Sequence, residues 1–292
     1  MQALVSSFVN SSWRMGILAG VFGVLALRLP LFAIPAAALV ALPILQSGVL
    51  RAGPCLLIGG ALVAAGWAGL GLLPGQVLPL VFLLWPVMVA MAEILRRRGR
   101  LGPALLLAGA VMLCFVLAMH TWTDDVVTYW HEWLKAAVSA VPGADLKSLE
   151  EGRLLRLMNG FVAMVYGLAL ILGLMLGRWM QFMAFPPGDF AREFRWLTLP
   201  SWVLALAVAV IWAGGLRDVV MLADLLMITI LLYFFVGLAV IHGVIFVRGI
   251  SSGWLIPMYL LLAFSPPEAL ATLALIGVVD TFVHFRVQEA AS

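Results

Sequence analysis

VVMLADLLMITILLYFFVGLAVIHGVIFV, residues 219–247, decides the fold: in twenty-nine positions it holds one carboxylate, Asp224, and one imidazole, His242. As a helix it measures roughly 43 Å at about 1.5 Å per residue. The hydrocarbon core of a bilayer is only about 30 Å thick, so the helix spans it with tilt, bend or protrusion. No water-soluble fold needs such a run. Outward from it, further apolar segments lie at 13–27, 30–47, 53–73, 76–95, 101–120, 154–177, 199–216, 253–265 and 267–285. The chain as a whole is 64% hydrophobic and 11% charged, with a mean hydropathy of +1.13. Soluble domains hold about 45–50% apolar and about 25% charged residues. A cytosolic enzyme and a disordered chain are both excluded by that balance.

The expectation is an all-helical polytopic bundle of about 8–10 spans, a single integral membrane domain over 1–292 in a bacterial inner membrane. Segments 13–27 and 253–265 are short enough to be re-entrant or steeply tilted. The ends of the spans are punctuated by proline and glycine at Arg28–Pro30, Leu73–Gln76 and Ser265–Pro267. No basic residue precedes Arg14, so no cleavable leader is expected. Cys55 and Cys114 both sit in apolar runs and predict neither a disulfide nor a metal site.

Charge predicts orientation. Arg96, Arg97, Arg98 and Arg100 form a cluster that belongs in the cytoplasm, as do Arg178, Arg192, Arg195, Arg248 and Arg286. Ten spans counted from that cluster put both termini inside and bring Arg14 and Arg51 to the same side, so eleven of the seventeen basic residues share it. The net charge of +3 is too small and too dispersed for nucleic acid.

Two connections exceed a turn. Residues 121–153 are expected to form a periplasmic amphipathic hairpin. Thr123, Asp124 and Asp125 start a helix there. Trp122, Val126, Tyr129 and Trp133 recur at helical spacing along it, with Trp130 and Leu134 alongside. Pro142 and Gly143 stop that helix, and Ser148 with Glu151 forms a capping box for the next span. The second connection, 178–198, is expected as a cytoplasmic interfacial loop. Its turn is Pro186–Pro187–Gly188, followed by a short helix capped by Asp189 with Phe190, Phe194 and Leu197 on one face.

This second connection carries a resemblance. Arg178–Trp179–Met180–Gln181, then Pro187–Gly188–Asp189–Phe190, then Arg192–Glu193–Phe194–Arg195 resembles the YybS-like membrane proteins, a family defined by a domain of unknown function. Asn159–Gly160 in the preceding span fits the same pattern. Pro187 and Asp189 depart from it, standing where a turn richer in Gly and Asn is expected. The resemblance implies a bacterial inner-membrane protein, with a distant likeness to the substrate-binding subunits of energy-coupling-factor vitamin transporters. It carries over no catalytic residues.

Ionisable groups inside a membrane are functional candidates by default. Asp224, Asp280, His284 and His242 are those groups here, with Asn159 as a polar companion. His242, Asp280 and His284 lie near inner helix ends, where they either meet at a binding site or pair with arginine in the headgroup zone. Asp224 pairs either with Arg217 or with a buried group on another helix. Small residues four apart, Gly16, Gly20 and Gly23 in the first span and Gly173 and Gly177 in the sixth, predict close helix contacts.

Enzyme motifs are missing. His131–Glu132 lacks a second histidine at position 135, which is Lys135. Glu150–Glu151 lacks an arginine at position 155. Asp124–Asp125 serve as helix-start acids sooner than as metal ligands. No phosphate-binding loop is present, and no cofactor is expected. The leading expectation is binding or translocation of a small or lipidic molecule. Its partners would be membrane lipids and either a partner membrane subunit or a second copy. The alternative is a scaffold recruiting partners through Arg178, Trp179, Gln181, Pro187, Gly188, Phe190, Glu193 and Phe194. A membrane enzyme on lipid-linked substrates is third.

Overall fold

The structure, a computed structural model, describes residues 11–70, 80–139, 154–185, 189–215 and 219–286. It is 89% helical, with no strand among the described residues. In chain order the helices are α1 (Ser12–Ala26), α2 (Ala33–Ser47), α3 (Val49–Gly69), α4 (Leu80–Arg98), α5 (Leu101–Trp122), α6 (Val126–Ser139), α7 (Leu154–Ala184), α8 (Phe190–Arg195), α9 (Ser201–Gly215), α10 (Val219–Val247), α11 (Leu255–Phe264) and α12 (Pro266–Val283). Short 3-10 turns at Pro30–Phe32 and Ser252–Trp254 lead into α2 and α11. Six helical stretches are long and apolar enough to cross a membrane: Pro30–Ser47, Val49–Gly69, Leu101–Trp122, Leu154–Ala184, Val220–Val247 and Pro266–Val283. This is a multi-pass helical membrane protein.

The chain clusters into two compact units, Met1–Ala108 with Leu168–Phe194, and Gly109–Gly167 with Arg195–Ser292. In the first unit, small residues set the helix spacing. A Cβ on Gly16 would lie 2.8 Å from the Cys55 carbonyl, and one on Gly20 would lie 2.7 Å from Leu62 Cβ, so α1 and α3 touch backbone to backbone. Gly173 and Gly177 do the same for α7 against Ala37 and Ala38 of α2. Apolar area is no driving force between helices in lipid, so close van der Waals contact does this work.

In the second unit the tightest crossing is between α10 and α12. A Cβ on Gly237 would run into the Leu273 carbonyl, and one on Gly277 into the Tyr233 carbonyl. Further along, Gly243 lies against Arg286. Gly237 against Gly277 and Gly243 against Arg286 follow the same order along the chain, which makes α12 parallel to α10. α11, ten residues long and therefore about 15 Å, is joined to α12 at Ser265. The pair forms a hairpin that starts and finishes at the Val247 end of α10.

Two boundaries differ from expectation. The span expected over 154–177 runs on to Ala184, so Arg178, Trp179 and Gln181 are helical and lie outside any loop. Nothing between Gly177 and Pro186 breaks a helix, and Arg178 donates to Gln181 one turn on at 2.7 Å. The span expected from 53 begins at Val49, directly after Gly48 at φ 84°. Pro54 near its start forfeits only one backbone bond. The turns and caps expected at Leu73–Gln76, Pro142–Gly143, Ser148, Glu151, Pro186, Pro187 and Gly188 lie outside the described residues, as does Arg217.

Candidate functional site

The second unit holds a buried polar cluster built from four helices. Asp224, one turn and a half into α10, is fully buried. Its Oδ2 accepts from Asn159 Nδ2 of α7 at 2.6 Å and lies 2.8 Å from His120 Nε2 at the end of α5. Asn159, also buried, accepts through Oδ1 from the indole N–H of Trp130 in α6 at 3.3 Å. An indole can only donate, so it dictates the Asn159 amide orientation and turns the amide N–H towards Asp224. Two donors therefore converge on Oδ2. The other oxygen, Oδ1, is buried with no hydrogen-bond partner among the described residues. Gly160 makes the approach feasible, since a Cβ there would stand 2.8 Å from both Asp224 Cα and Oδ1.

A buried carboxylate without compensating charge costs several kcal/mol. Among the described residues only His120 can supply that charge, because Asn159 and Trp130 are neutral donors. His120 also reaches outward. It lines a cleft of about 350 Å³ together with Thr123, Asp124 and Asp125, faced across the opening by Val220 and Met221. Val220 and Met221 lie on α10 one turn before Asp224. The imidazole thus stands between an acidic, open cleft and a sealed carboxylate.

The floor of the cleft is held by a helix cap. Asp125 Oδ2 accepts from the Thr128 N–H at 3.0 Å and the Thr128 hydroxyl at 2.5 Å, as expected of an acid at a helix start. The Thr128 hydroxyl, then its N–H, hold the Asp125 carboxyl below its ordinary range. The protein-facing stripe of α6 is Val126 and Trp130, with Leu134 half-buried, while Trp122, Tyr129 and Trp133 are exposed. The expected aromatic stripe is therefore out of phase by one residue per turn. Trp130 is drawn inward because its indole N–H has a partner there.

The remaining predicted positions have other partners. Asp280 binds Arg286 Nη2 through Oδ2 at 2.5 Å and accepts from the Phe285 N–H through Oδ1 at 3.1 Å. Arg286, itself buried, donates to the carbonyls of Arg195 at 2.7 Å and Leu197 at 3.0 Å. This clasp closes the end of α12. His242 Nδ1 bonds to the Leu238 carbonyl at 2.8 Å, and its Nε2 accepts from the Tyr259 hydroxyl at 3.1 Å. His284 is exposed at the left-handed C-cap of α12. The structure therefore brings Asp224 and Asn159 together and gives Asp280, His242 and His284 separate surroundings.

In the first unit, the motif residues bind one another. Arg178 Nε donates to Glu193 at 2.9 Å and Nη1 to Gln181, whose Nε2 reaches the Leu45 carbonyl at 3.0 Å. Burial pushes the Glu193 carboxyl above its ordinary range, against the pull of Arg178. Phe190 and Phe194 stack at 6.0 Å between centroids, and Trp179 is exposed.

Sequence reasoning missed His120 and Trp130 as site residues. A signal existed for His120: it ends its expected span four residues before the acidic pair. Trp130 carried no signal beyond its aromatic neighbours. No family model, curated protein or solved structure matches this chain.

Proposed function

We propose that this multi-pass protein binds and translocates a small solute bearing positive charge, with the His120–Asp224 cleft as its binding site. The observation that carries this reading is Asp224, a fully buried carboxylate in an apolar helix, touching an imidazole that lines an open acidic cleft. The proposed setting is a YybS-like protein of a bacterial inner membrane, from the motif resemblance at 178–195, with arginine clusters and both termini inside and the cleft facing the periplasm, from charge.

The alternatives have less behind them. A scaffold working through 178–198 needs outward-facing polar groups, whereas Arg178, Gln181 and Glu193 are bound to each other and to Leu45. An enzyme on lipid-linked substrates needs Asp124, Asp125 and His131 over one groove. Asp125 is committed to its cap, and His131 pairs weakly with Glu132 at 3.6 Å.

The test is thermal stability in lipid nanodiscs across sodium, potassium, guanidinium and tetramethylammonium chlorides at constant ionic strength. At least one cation is expected to stabilise the wild type by several degrees and to leave Asp224→Asn unchanged. If none discriminates the two proteins, the reading is wrong.

A further inference from the structure

We infer that the arginine-bearing end of the first unit is a binding surface for anionic phospholipid headgroups, centred on Arg14 and Arg51 where α1 and α3 begin. It holds whatever the cleft binds. α1 and α3 run parallel, because Gly16 lies against Cys55, Gly20 against Leu62 and Gly23 against Val63, in the same order along both. Their first turns therefore stand side by side, and Ser12 Oγ donates to the Arg51 carbonyl across the seam at 3.0 Å. Arg14 and Arg51 are both exposed there. The Arg14 guanidinium lies over the Trp13 ring, 5.2 Å from its centroid, and Trp13 is itself exposed. Tryptophan and arginine at one level of a membrane helix mark the headgroup zone.

Away from that level the exposed surface is apolar. Trp13, Ile17, Val21 and Leu25 recur every fourth residue as one exposed row along α1, and Leu50, Leu57 and Leu62 are exposed along α3. A phospholipid matches both parts, with acyl chains along these side chains and its phosphate beside the arginines.

Charge at this end is not balanced within the unit. Arg14, Arg51, Arg96, Arg97, Arg98, Arg100, Arg178 and Arg192 are accompanied there by only three carboxylates, Glu93, Asp189 and Glu193. Glu93 is taken by Arg96 and Arg97, and Glu193 by Arg178. The side chains of Arg51, Arg98 and Arg100 are exposed and have no partner among the described residues. A lipid of no net charge leaves that excess standing. So does a second copy of the chain on the same seam, because neither α1 nor α3 carries an acidic residue.

The experiment counts bound lipid. The full chain in mild detergent is mixed with phosphatidylglycerol or phosphatidylcholine of matched acyl chains, and the complexes are weighed by native mass spectrometry. Phosphatidylglycerol is expected to bind roughly thirtyfold more tightly, about fivefold for each of the two central arginines. The preference should shrink as salt is raised. Arg14→Gln with Arg51→Gln should remove it, and Arg51→Lys should keep it. Arg28→Gln makes the same charge change two residues past the other end of α1 and should leave the preference untouched. Equal binding of the two lipids overturns the inference, as does a preference that survives in the double variant or is lost equally in Arg28→Gln. Glycerol phosphate is the headgroup without its chains; if it binds as tightly as the lipid, the occupant is a soluble phosphate and the lipid assignment falls. Wild-type dimers that the double variant lacks, with no lipid retained, assign the seam to a second copy and also overturn it. The wild-type comparison of the two lipids tests the inference even if a variant fails to fold.

Discussion

Single side chains in this protein respond to pH in opposite directions. Asp125 has its carboxyl lowered in the fold by Thr128. Its contribution is present above its unfolded value of about 3.9 and is lost as pH falls through the lower folded value. Glu193 has its carboxyl raised by burial. Its contribution is present below the unfolded value of about 4.3 and is lost as pH rises through the folded value. In melting curves taken from pH 7 to pH 3, wild type should gain stability relative to Glu193→Gln as the solution is acidified. Relative to Asp125→Asn it should lose stability at the acid end. Equal slopes for all three proteins would show that neither group is held as described. At neutral pH, Asp125→Ala removes a cap worth about 1 kcal/mol and loosens the floor of the cleft.

Helices here are positioned by where their backbones can meet. The α10–α12 crossing at Gly237 and Gly277 leaves no space for a methyl group on either side, and the colliding atoms are main-chain carbonyls that cannot swing away. Gly237→Ala or Gly277→Ala should cost about 3 kcal/mol or more, read as a collapse in the yield of monodisperse protein. Gly53→Ala and Gly60→Ala in α3 meet nothing within 4 Å and should leave that yield unchanged or improve it, since alanine is the better helix former by about 1 kcal/mol. The glycine stripes of α1 and α7 were legible as small residues four apart. Gly237 and Gly277 were not, because neither has a second glycine three or four residues away in its own helix and the pattern exists only when the two helices are brought together. The same limit applied to α6. Its period was readable, but its phase depended on Asn159, twenty-nine residues further along the chain.

Each unit gathers most of its described arginines at one end, with Arg28 in the first and Arg156 in the second standing apart. In the first, Ser12 bonds to the Arg51 carbonyl, Gly48 lies beside the Arg96 guanidinium, and Gln181 reaches Leu45, gathering Arg14, Arg51, the Arg96–Arg100 cluster and Arg178. In the second, Arg286 binds the Arg195 carbonyl and Arg195 stacks over Phe246 near Arg248. A positive-inside arrangement needs an excess of this kind, not a complete sorting. The proposed orientation puts these ends in the cytoplasm. In a Cys55→Ala, Cys114→Ala background, Arg98→Cys should react with a membrane-impermeant thiol reagent only after bacterial cells are permeabilised, and Thr123→Cys should react in intact cells. The reverse pattern would invert the topology and place the acidic cleft inside.

Hydropathy and chain length alone determined that this is a helical membrane protein and where most of its spans lie, because every backbone polar group in lipid must be satisfied within its own helix. That requirement is local, so it is written in consecutive residues. Asp224, Asn159, Asp280, His242 and His284 were visible for the same reason, as polar exceptions in apolar runs. Only the tertiary structure decided which of them are partnered. It gave Asp280 to Arg286, and it placed His120, over a hundred positions away, against Asp224. Ion pairing and hydrogen bonding act across a few ångströms of space, and no spacing along a single helix records which distant side chain will fill them.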